Sequence, residues 1–207
     1  MPLLFDLPLE KLLTYQGSTP KPDDFDAFWD NGLREMRAVD PEVRLVPAPF
    51  QAPFADCFDL TFTGVGGSRI YAKLLRPKVI AEPSPAVVMF HGYSGNSGEW
   101  VDKLPYVAMG CTVAAMDCRG QGGRSQDLGG VSGTTLRGHI IRGLDDAPER
   151  LLFRQVFLDV AQLAGLVMAM DGVDPARVGV TGGSQGGGLT LACAALEPRV
   201  RRAAPVY

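Results

Sequence analysis

Short, uninterrupted apolar runs alternate with segments of helical periodicity throughout the second half of the chain. The apolar runs are typical of strands that are covered on both faces of a sheet. They occupy residues 86–90, 111–117, 177–181 and 200–207. The helical segments occupy residues 99–109, 152–170 and 185–197. Strands that alternate with helices in this way predict an α/β fold with a largely parallel sheet, right-handed crossovers and helices on both faces.

The first half of the chain predicts an antiparallel edge for this sheet. Two strand segments, residues 57–63 and 69–75, flank a glycine-rich turn that is typical of a hairpin. Ahead of them, prolines discourage regular structure in residues 1–20, and Asp23 or Asp24 can cap a helix with apolar residues at steps of three and four. Those apolar residues are Phe25, Phe28, Trp29, Leu33 and Met36. We therefore predict a single domain over residues 1–207, with an N-terminal arm and helix over 1–55 and a sheet core over 56–207.

The helix at residues 152–170 is expected to bury one face against the sheet and to expose the other. Its apolar residues, expected inside, are Phe153, Val156, Phe157, Val160, Ala164 and Val167. Its polar residues, expected in solvent, are Arg154, Gln155, Asp159 and Gln162.

Composition and charge are those of an ordinary globular protein and argue against several classes. With 207 residues, 46% hydrophobic and 21% charged, the chain has the size and content of one α/β domain. A net charge of −3 without a basic cluster argues against nucleic acid as a partner. The longest strongly apolar run, residues 163–170, is too short to cross a membrane, and the N-terminus lacks the basic segment of a signal peptide. The four cysteines lack metal-ligand spacing. We therefore expect a cytoplasmic protein with reduced cysteines and with no metal or organic cofactor.

The strongest chemical signal lies between residues 177 and 188. A β-branched run leads into Gly182-Gly183-Ser184-Gln185-Gly186, which fits the G-x-S-x-G pattern of a nucleophile elbow, and an apolar helix follows. Such a turn lifts the serine hydroxyl clear of the sheet and places it at the positive end of the helix. Ser184 is therefore the candidate nucleophile. The alternatives are a glycine turn that only packs a helix on a strand, or a phosphate loop, which the absence of a following Lys-Ser or Lys-Thr disfavours.

A second motif, His91-Gly92-Tyr93-Ser94-Gly95, directly follows the first buried strand. In α/β-hydrolases a loop of this kind contributes one backbone N–H to the oxyanion hole, and the residue after the nucleophile contributes the other. We therefore expect the N–H groups of Tyr93 and Gln185 to converge near Ser184, with Tyr93 also lining the pocket. His91 and Gly92 are expected to shape the loop, His91 without acting as the catalytic base.

A glycine-rich excursion, residues 119–150, begins at Arg119-Gly120-Gln121. Eight glycines lie between Gly120 and Gly143. Loops of this length are commonly functional, so we expect the excursion to cover the active site or to form a subunit contact. Arg119 and Gln121 are candidate supporting residues, and His139 is expected to serve the loop or an interface rather than catalysis.

Together these motifs resemble the acetyl xylan esterase/cephalosporin C deacetylase family, carbohydrate esterase family seven of the α/β-hydrolase superfamily. The resemblance rests on the serine, His91 and Arg119 motifs, on residues 138–143 and on Pro22, Phe25, Phe28 and Trp29. It implies an α/β-hydrolase-type fold and removal of acetyl groups from short xylo-oligosaccharides and cephalosporin side chains. It also implies a hexameric ring, Ser184 as the nucleophile, and an oxyanion hole built from Tyr93 and Gln185.

The chain departs from that family in one respect. The family places an aspartate and then a histidine downstream of the nucleophile, whereas the residues after Ser184 include neither. We therefore expect the N-terminal two-thirds of an esterase domain, C-terminally truncated and inactive by itself, with a companion C-terminal fragment or a homo-oligomer as its protein partner. The alternatives are another α/β-hydrolase activity, of peptidase or dienelactone type, and a non-catalytic binding or assembly module.

Overall fold

Seven strands form one mixed sheet in the computed structural model, which describes residues 7–79, 83–127 and 139–207. The strands are β1 (Arg44–Pro47), β2 (Ala55–Thr63), β3 (Arg69–Pro77), β4 (Ser84–Phe90), β5 (Thr112–Met116), β6 (Val173–Gly183) and β7 (Arg202–Val206). The α-helices of these ranges are α1 (Leu9–Leu12), α2 (Phe25–Ala38), α3 (Leu104–Ala108), α4 (Leu152–Met168) and α5 (Gln185–Leu196).

The sheet has an antiparallel half and a parallel half. Its strand order is β1-β2-β3-β5-β4-β6-β7. The pairs from β1 to β5 are antiparallel, and the pairs among β5, β4, β6 and β7 are parallel. The hairpin predicted at the edge is β2 and β3, in register from Ala55 opposite Pro77 to Thr63 opposite Arg69. The predicted α/β-hydrolase-type sheet is therefore confirmed, and the carboxyl ends of its parallel strands share one edge.

Two apolar clusters hold the sheet between helices. The larger joins the sheet to α4 and α5, and its fully buried residues include Met116, Leu163 and Leu189. The smaller lies on the opposite face against α3 and includes Leu75 and Val113. Burial on both faces explains why the parallel strands read as continuous apolar runs.

The predicted exposure of the polar side of α4 is wrong. Arg154, Gln155, Asp159 and Gln162 are at most 7% exposed. The side of α4 that faces away from the sheet is covered by α2 and by the chain around the β2–β3 turn. Arg154 therefore pairs with Glu35 of α2 at 2.8 Å, and Gln162 donates to the carbonyl of Thr63 at 3.0 Å. Phe153 and Phe157 are only partly buried.

The N-terminal segment is more regular than the sequence predicts. Residues 1–20 include the short helix α1, and β1 lies within the predicted arm and pairs with β2. Asp24 occupies the N-cap position of α2, although its side chain makes no capping hydrogen bond within the described part of the chain. Because β1 joins the sheet, residue 55 does not separate an arm from the sheet core.

The glycine-rich excursion is described only near its two ends. Residues 128–138 and the side chain of His139 lie outside the described part, so the covering or contact role stays a prediction. Arg142 forms an ion pair with Asp127 at the base of the excursion, and both side chains are buried. Single turns of 3₁₀ helix occupy His139–Ile141 and Pro148–Arg150. Over the described ranges, no helix has the length and apolar character needed to cross a membrane.

Candidate active site

Ser184 lies at the carboxyl edge of the sheet, between β6 and α5. Its backbone has φ 54° and ψ −119°, a strained combination for a residue with a side chain. Its N–H donates to the carbonyl of Val206 in β7 at 2.8 Å, which ties the turn to the neighbouring strand. Helix α5 begins at the next residue, Gln185, so the positive end of the helix lies at the serine.

The glycines of the elbow permit a close approach between β4 and α5. A Cβ atom on Gly182 would lie 2.5 Å from the carbonyl oxygen of Phe90, and one on Gly186 would overlap the same oxygen. By contrast, a Cβ on Gly188 would meet no described atom within 4 Å. Packing therefore requires glycine at positions 182 and 186. The same packing fixes where α5 begins relative to β4.

The loop that follows β4 reaches the serine. A Cβ atom on Gly92 would lie 4.0 Å from Cβ of Ser184 and 3.7 Å from the carbonyl oxygen of Gly183. The next residue, Tyr93, is 41% exposed at this edge. The fold thus brings Ser184, Gln185 and the loop together, as the sequence predicts, whereas convergence of the two N–H groups on one point stays a prediction.

Both ring nitrogens of His91 are engaged by backbone. Nε2 accepts the N–H of Cys118 at 2.9 Å, and Nδ1 lies 2.7 Å from the carbonyl oxygen of Gly92, so the proton sits on Nδ1. Burial lowers the pKa of His91, although the Gly92 carbonyl and the Asp117 charge act in the opposite direction. His91 is therefore a neutral ring that joins the start of the loop after β4 to the chain after β5.

Gln121 bridges the two motifs that surround the serine. Its Oε1 accepts the backbone N–H of Ser94 at 2.8 Å, and its Nε2 donates to Oε1 of Gln185 at 2.9 Å. One side chain from the start of the excursion therefore joins the residue after Tyr93 to the residue after Ser184. A displaced Gln121 would move the two predicted oxyanion donors relative to each other.

Arg119 is fully buried and points away from this edge, toward α4. Its guanidinium donates to both carboxylate oxygens of Asp159, at 2.7 and 2.6 Å. Nη1 also donates to the carbonyl of Val65, to Ser68 Oγ and to Gln155 Oε1. Arg119 therefore anchors the segment that carries Gln121.

Asp117, at the end of β5, supports the same loop and was missed by sequence reasoning. Its buried carboxylate accepts the backbone N–H groups of Ser97 at 2.6 Å and Arg124 at 2.7 Å. The signal that points to it is an acidic residue directly after a buried parallel strand, where functional groups gather. It fixes the distal half of the loop that begins at His91.

Other catalytic chemistries find little support at this edge. Burial raises the pKa of all four cysteine thiols, so none is activated as a nucleophile. The described residues hold no group of three or more His, Cys, Asp or Glu side chains arranged for a metal ion. The two histidines of the chain, His91 and His139, both precede Ser184.

A sheet of this topology, with a serine on a strained turn at its carboxyl edge, defines an α/β-hydrolase. The acetyl xylan esterase (AXE1) family model matches residues 1–207. The chain therefore belongs to the acetyl xylan esterase family.

Two relatives of known structure are similar to this chain in fold and sequence, and a third relative is similar in sequence. Acetyl xylan esterase 1 from Thermoanaerobacterium sp. JW/SL YS485 is 63% identical with a TM-score of 0.90, over 95% of this chain and 62% of that one. The acetyl xylan esterase from Paenibacillus sp. R4 is 33% identical with a TM-score of 0.88, over 96% of this chain and 64% of that one. The acetyl esterase Axe7A of Xylanibacter ruminicola is 29% identical over 188 residues, which are 88% of this chain and 42% of that protein. The chain thus spans less than two thirds of the length of each relative.

Proposed function

We propose that this chain carries the nucleophile and the oxyanion hole of a serine esterase that removes acetyl groups from acetylated xylo-oligosaccharides, cephalosporin C and similar small esters. The observation that carries the proposal is the strained backbone of Ser184 at the first turn of α5, beside a loop that approaches it at Gly92. Family membership supports the choice of an acetyl ester.

The reaction proceeds through an acyl-serine. Ser184 Oγ attacks the acetyl carbonyl carbon and gives up its proton to a general base, while the backbone N–H groups of Tyr93 and Gln185 stabilise the oxyanion. The tetrahedral intermediate collapses, the C–O bond to the sugar breaks, and the protonated base returns the proton to the leaving sugar oxygen. Water, activated by the same base, then hydrolyses the acetyl-serine and releases acetate.

The general base and its acidic partner come, in this proposal, from polypeptide outside residues 1–207. His91 is occupied by backbone on both nitrogens, and no aspartate or histidine follows Ser184. We call the chain together with the polypeptide that supplies the base and the acid the complete enzyme. Its cytoplasmic location is supported by the reduced cysteines, and its hexameric assembly by family resemblance alone.

Fluorophosphonate labelling of the complete enzyme tests the nucleophile. We expect a single label on Ser184, no label in Ser184→Ala, and a loss of activity on the scale of the roughly 10⁶-fold effect of removing a triad serine. Ser18→Ala, an exposed serine in the N-terminal arm, is the matched control and keeps full activity. A label mapped to Ser94 or Ser125 would overturn the assignment.

Acetate release tests the source of the base. Purified residues 1–207, checked by intact mass, are expected to release no acetate, and addition of the polypeptide that carries the aspartate and histidine restores hydrolysis. Full activity of residues 1–207 alone, lost in His139→Ala, would contradict the proposal and make His139 the base.

A further inference from the structure

A second concave surface lies beside the loop that carries Tyr93. This polar cleft has a volume of about 490 Å³, and its walls include Asp59, Tyr71, Lys73, Ser97, Trp100 and Arg124. Its residues come from the chain before β2, from β2 and β3, from the loop after β4 and from the chain after β5. None of them has a role in the reaction described above.

Part of the lining of the polar cleft is an array of paired polar groups. Asp59 accepts the phenol of Tyr71 at 2.6 Å and pairs with the guanidinium of Arg124 at 2.8 Å. The same guanidinium stacks over the Tyr71 ring, 4.1 Å from its centroid. Burial favours a higher pKa for Asp59, but the bonds from Tyr71 and Arg124 outweigh it and lower that pKa. Asp59 is therefore a carboxylate in a set position.

Another part of the lining is aromatic. The indole of Trp100 is parallel to the ring of Phe50, at 9° and 6.0 Å between centroids. The ammonium group of Lys73 lies 5.4 Å from the Trp100 ring centroid and donates to the carbonyl of Gly98. A rigid apolar surface edged by hydrogen-bonding groups is the arrangement by which proteins hold small polar ligands.

Ser97, which also lines the polar cleft, carries an unpartnered hydroxyl group. Its backbone N–H is bound by Asp117, and the residue is only 6% exposed. Its Oγ has no hydrogen-bond partner among the described residues, although buried hydroxyls in proteins are almost always paired. Rotation of the Ser97 side chain toward the cleft would let a ligand hydroxyl satisfy it as either donor or acceptor.

The balance of charge favours a neutral ligand over an anion. Three acidic residues line the polar cleft, Asp59, Glu99 and Asp117, against two basic residues, Lys73 and Arg124. The acidic groups offer acceptors and the basic groups offer donors, so a molecule rich in hydroxyl groups can use both.

The polar cleft is within reach of Ser184. Tyr93, beside the nucleophile, and Asn96, on the cleft wall, are three residues apart, so their Cα atoms are at most about 11 Å apart. In the sheet, β3 is three strands from β6, which is about 14 Å at the usual strand spacing. A short oligosaccharide spans such a distance.

We propose that the polar cleft binds an unesterified sugar ring of the oligosaccharide whose acetyl group is cleaved at Ser184. The proposal rests on the esterase function for its substrate, and it assigns the leaving-group side of that substrate to the surface between Asp59, Ser97 and Trp100. Trp100 packs against the ring face, while Ser97 and Lys73 contact its hydroxyl groups.

Unacetylated xylotriose tests this site without catalysis. In Trp29→Phe, Trp100 is the remaining tryptophan of the two in the chain, so its emission reports on the cleft. We expect a saturable change with xylotriose in residues 1–207, and the same change in Ser184→Ala. Xylotriose that leaves Trp100 emission unchanged up to its solubility overturns the proposal.

Two substitutions in the same background locate the sugar. Ser97→Ala and Lys73→Met each weaken binding by roughly three- to tenfold, the scale of one lost hydrogen bond. Ser18→Ala and Lys78→Met, exposed residues outside the cleft, are matched controls and bind as the parent does. Equal binding by all four variants overturns the site. Labelling of Ser184 tests the esterase proposal separately, so failure of the esterase proposal can be distinguished from failure of the sugar site.

Discussion

The side-chain amide of Gln121 donates to Oε1 of Gln185 at 2.9 Å, across 64 residues of sequence. The same Gln121 accepts the N–H of Ser94 at 2.8 Å. The distance between the two predicted oxyanion donors therefore depends on one side chain that does not itself touch the reacting atoms.

Replacement of Gln121 by alanine tests this dependence in the complete enzyme. We expect kcat to fall by about 10²-fold with little change in KM, since donors misplaced by about 1 Å lose that much. Gln121→Glu keeps the acceptor for Ser94 and is expected to recover part of the loss. Steady-state kinetics on a small acetyl ester measure both constants, with Gln16→Ala, an exposed residue of the arm, as control. A purely structural role would instead lower thermal stability and leave kcat unchanged.

The elbow glycines give a stability prediction with an internal control. Gly186→Ala places a methyl group onto the carbonyl of Phe90, so we expect a loss of about 3 kcal/mol in the free energy of unfolding, as for overpacked sites. Gly188→Ala, two residues later in α5, has space among the described atoms and is expected to gain up to about 1 kcal/mol from helix propensity. Urea unfolding of both variants measures the difference, and equal stabilities would show that the elbow can relax.

Removing one partner of the buried ion pair between Arg119 and Asp159 is expected to lower the free energy of unfolding strongly. Replacing both partners with apolar residues is expected to lower it much less. Both side chains are fully buried. Arg119→Met leaves the Asp159 carboxylate uncompensated and should cost about 3–5 kcal/mol, whereas Arg119→Met with Asp159→Leu should recover most of that loss. Chemical unfolding of the single and double variants provides the measurement. A double variant as unstable as the single one would mean that the remaining bonds of Arg119, to Val65, Ser68 and Gln155, dominate.

Because His91 is buried, we expect the free energy of unfolding to fall on mild acidification. Burial lowers its pKa in the folded protein below the unfolded value of about 6.5. Between those two pKa values the unfolded chain binds more protons than the folded protein. The contribution of neutral His91 to the free energy of unfolding is therefore complete above about pH 6.5 and is lost as the pH falls toward the folded pKa. In His91→Gln the melting temperature should therefore depend less on pH between pH 7.5 and 5.5. If His139→Gln instead removes the pH dependence and His91→Gln retains it, the titrating group is His139 and the prediction is wrong.

Much of the parallel half of the sheet could be predicted from the sequence, because its determinants are local. A strand covered on both faces needs an uninterrupted apolar run, and each predicted run after residue 86 became a strand, although β6 begins four residues earlier than expected, at Val173. The elbow is equally local, since a strained turn between a strand and a helix requires glycine at fixed positions around Ser184. Strand β1 carries no such pattern: its four residues are exposed, and it forms because β2 offers an unpaired edge.

Only the tertiary structure decided which polar residues are buried together. On α4 the helical period distinguishes the side that faces the sheet, but it contains no information that α2 and the β2–β3 turn cover the other side. The sequence therefore predicts that Asp159 is exposed to solvent, because its partner Arg119 lies 40 residues earlier and is not evident from the helical period. The role of Gln121 depends in the same way on Ser94 and Gln185, which are adjacent only after the strands have assembled. The sequence by itself determined the strands of the parallel half and the serine at their edge, because those depend on local backbone and burial patterns. The polar contacts that position the serine's neighbours were decided by the packing of distant segments, since a buried polar group takes whatever partner the fold brings within reach.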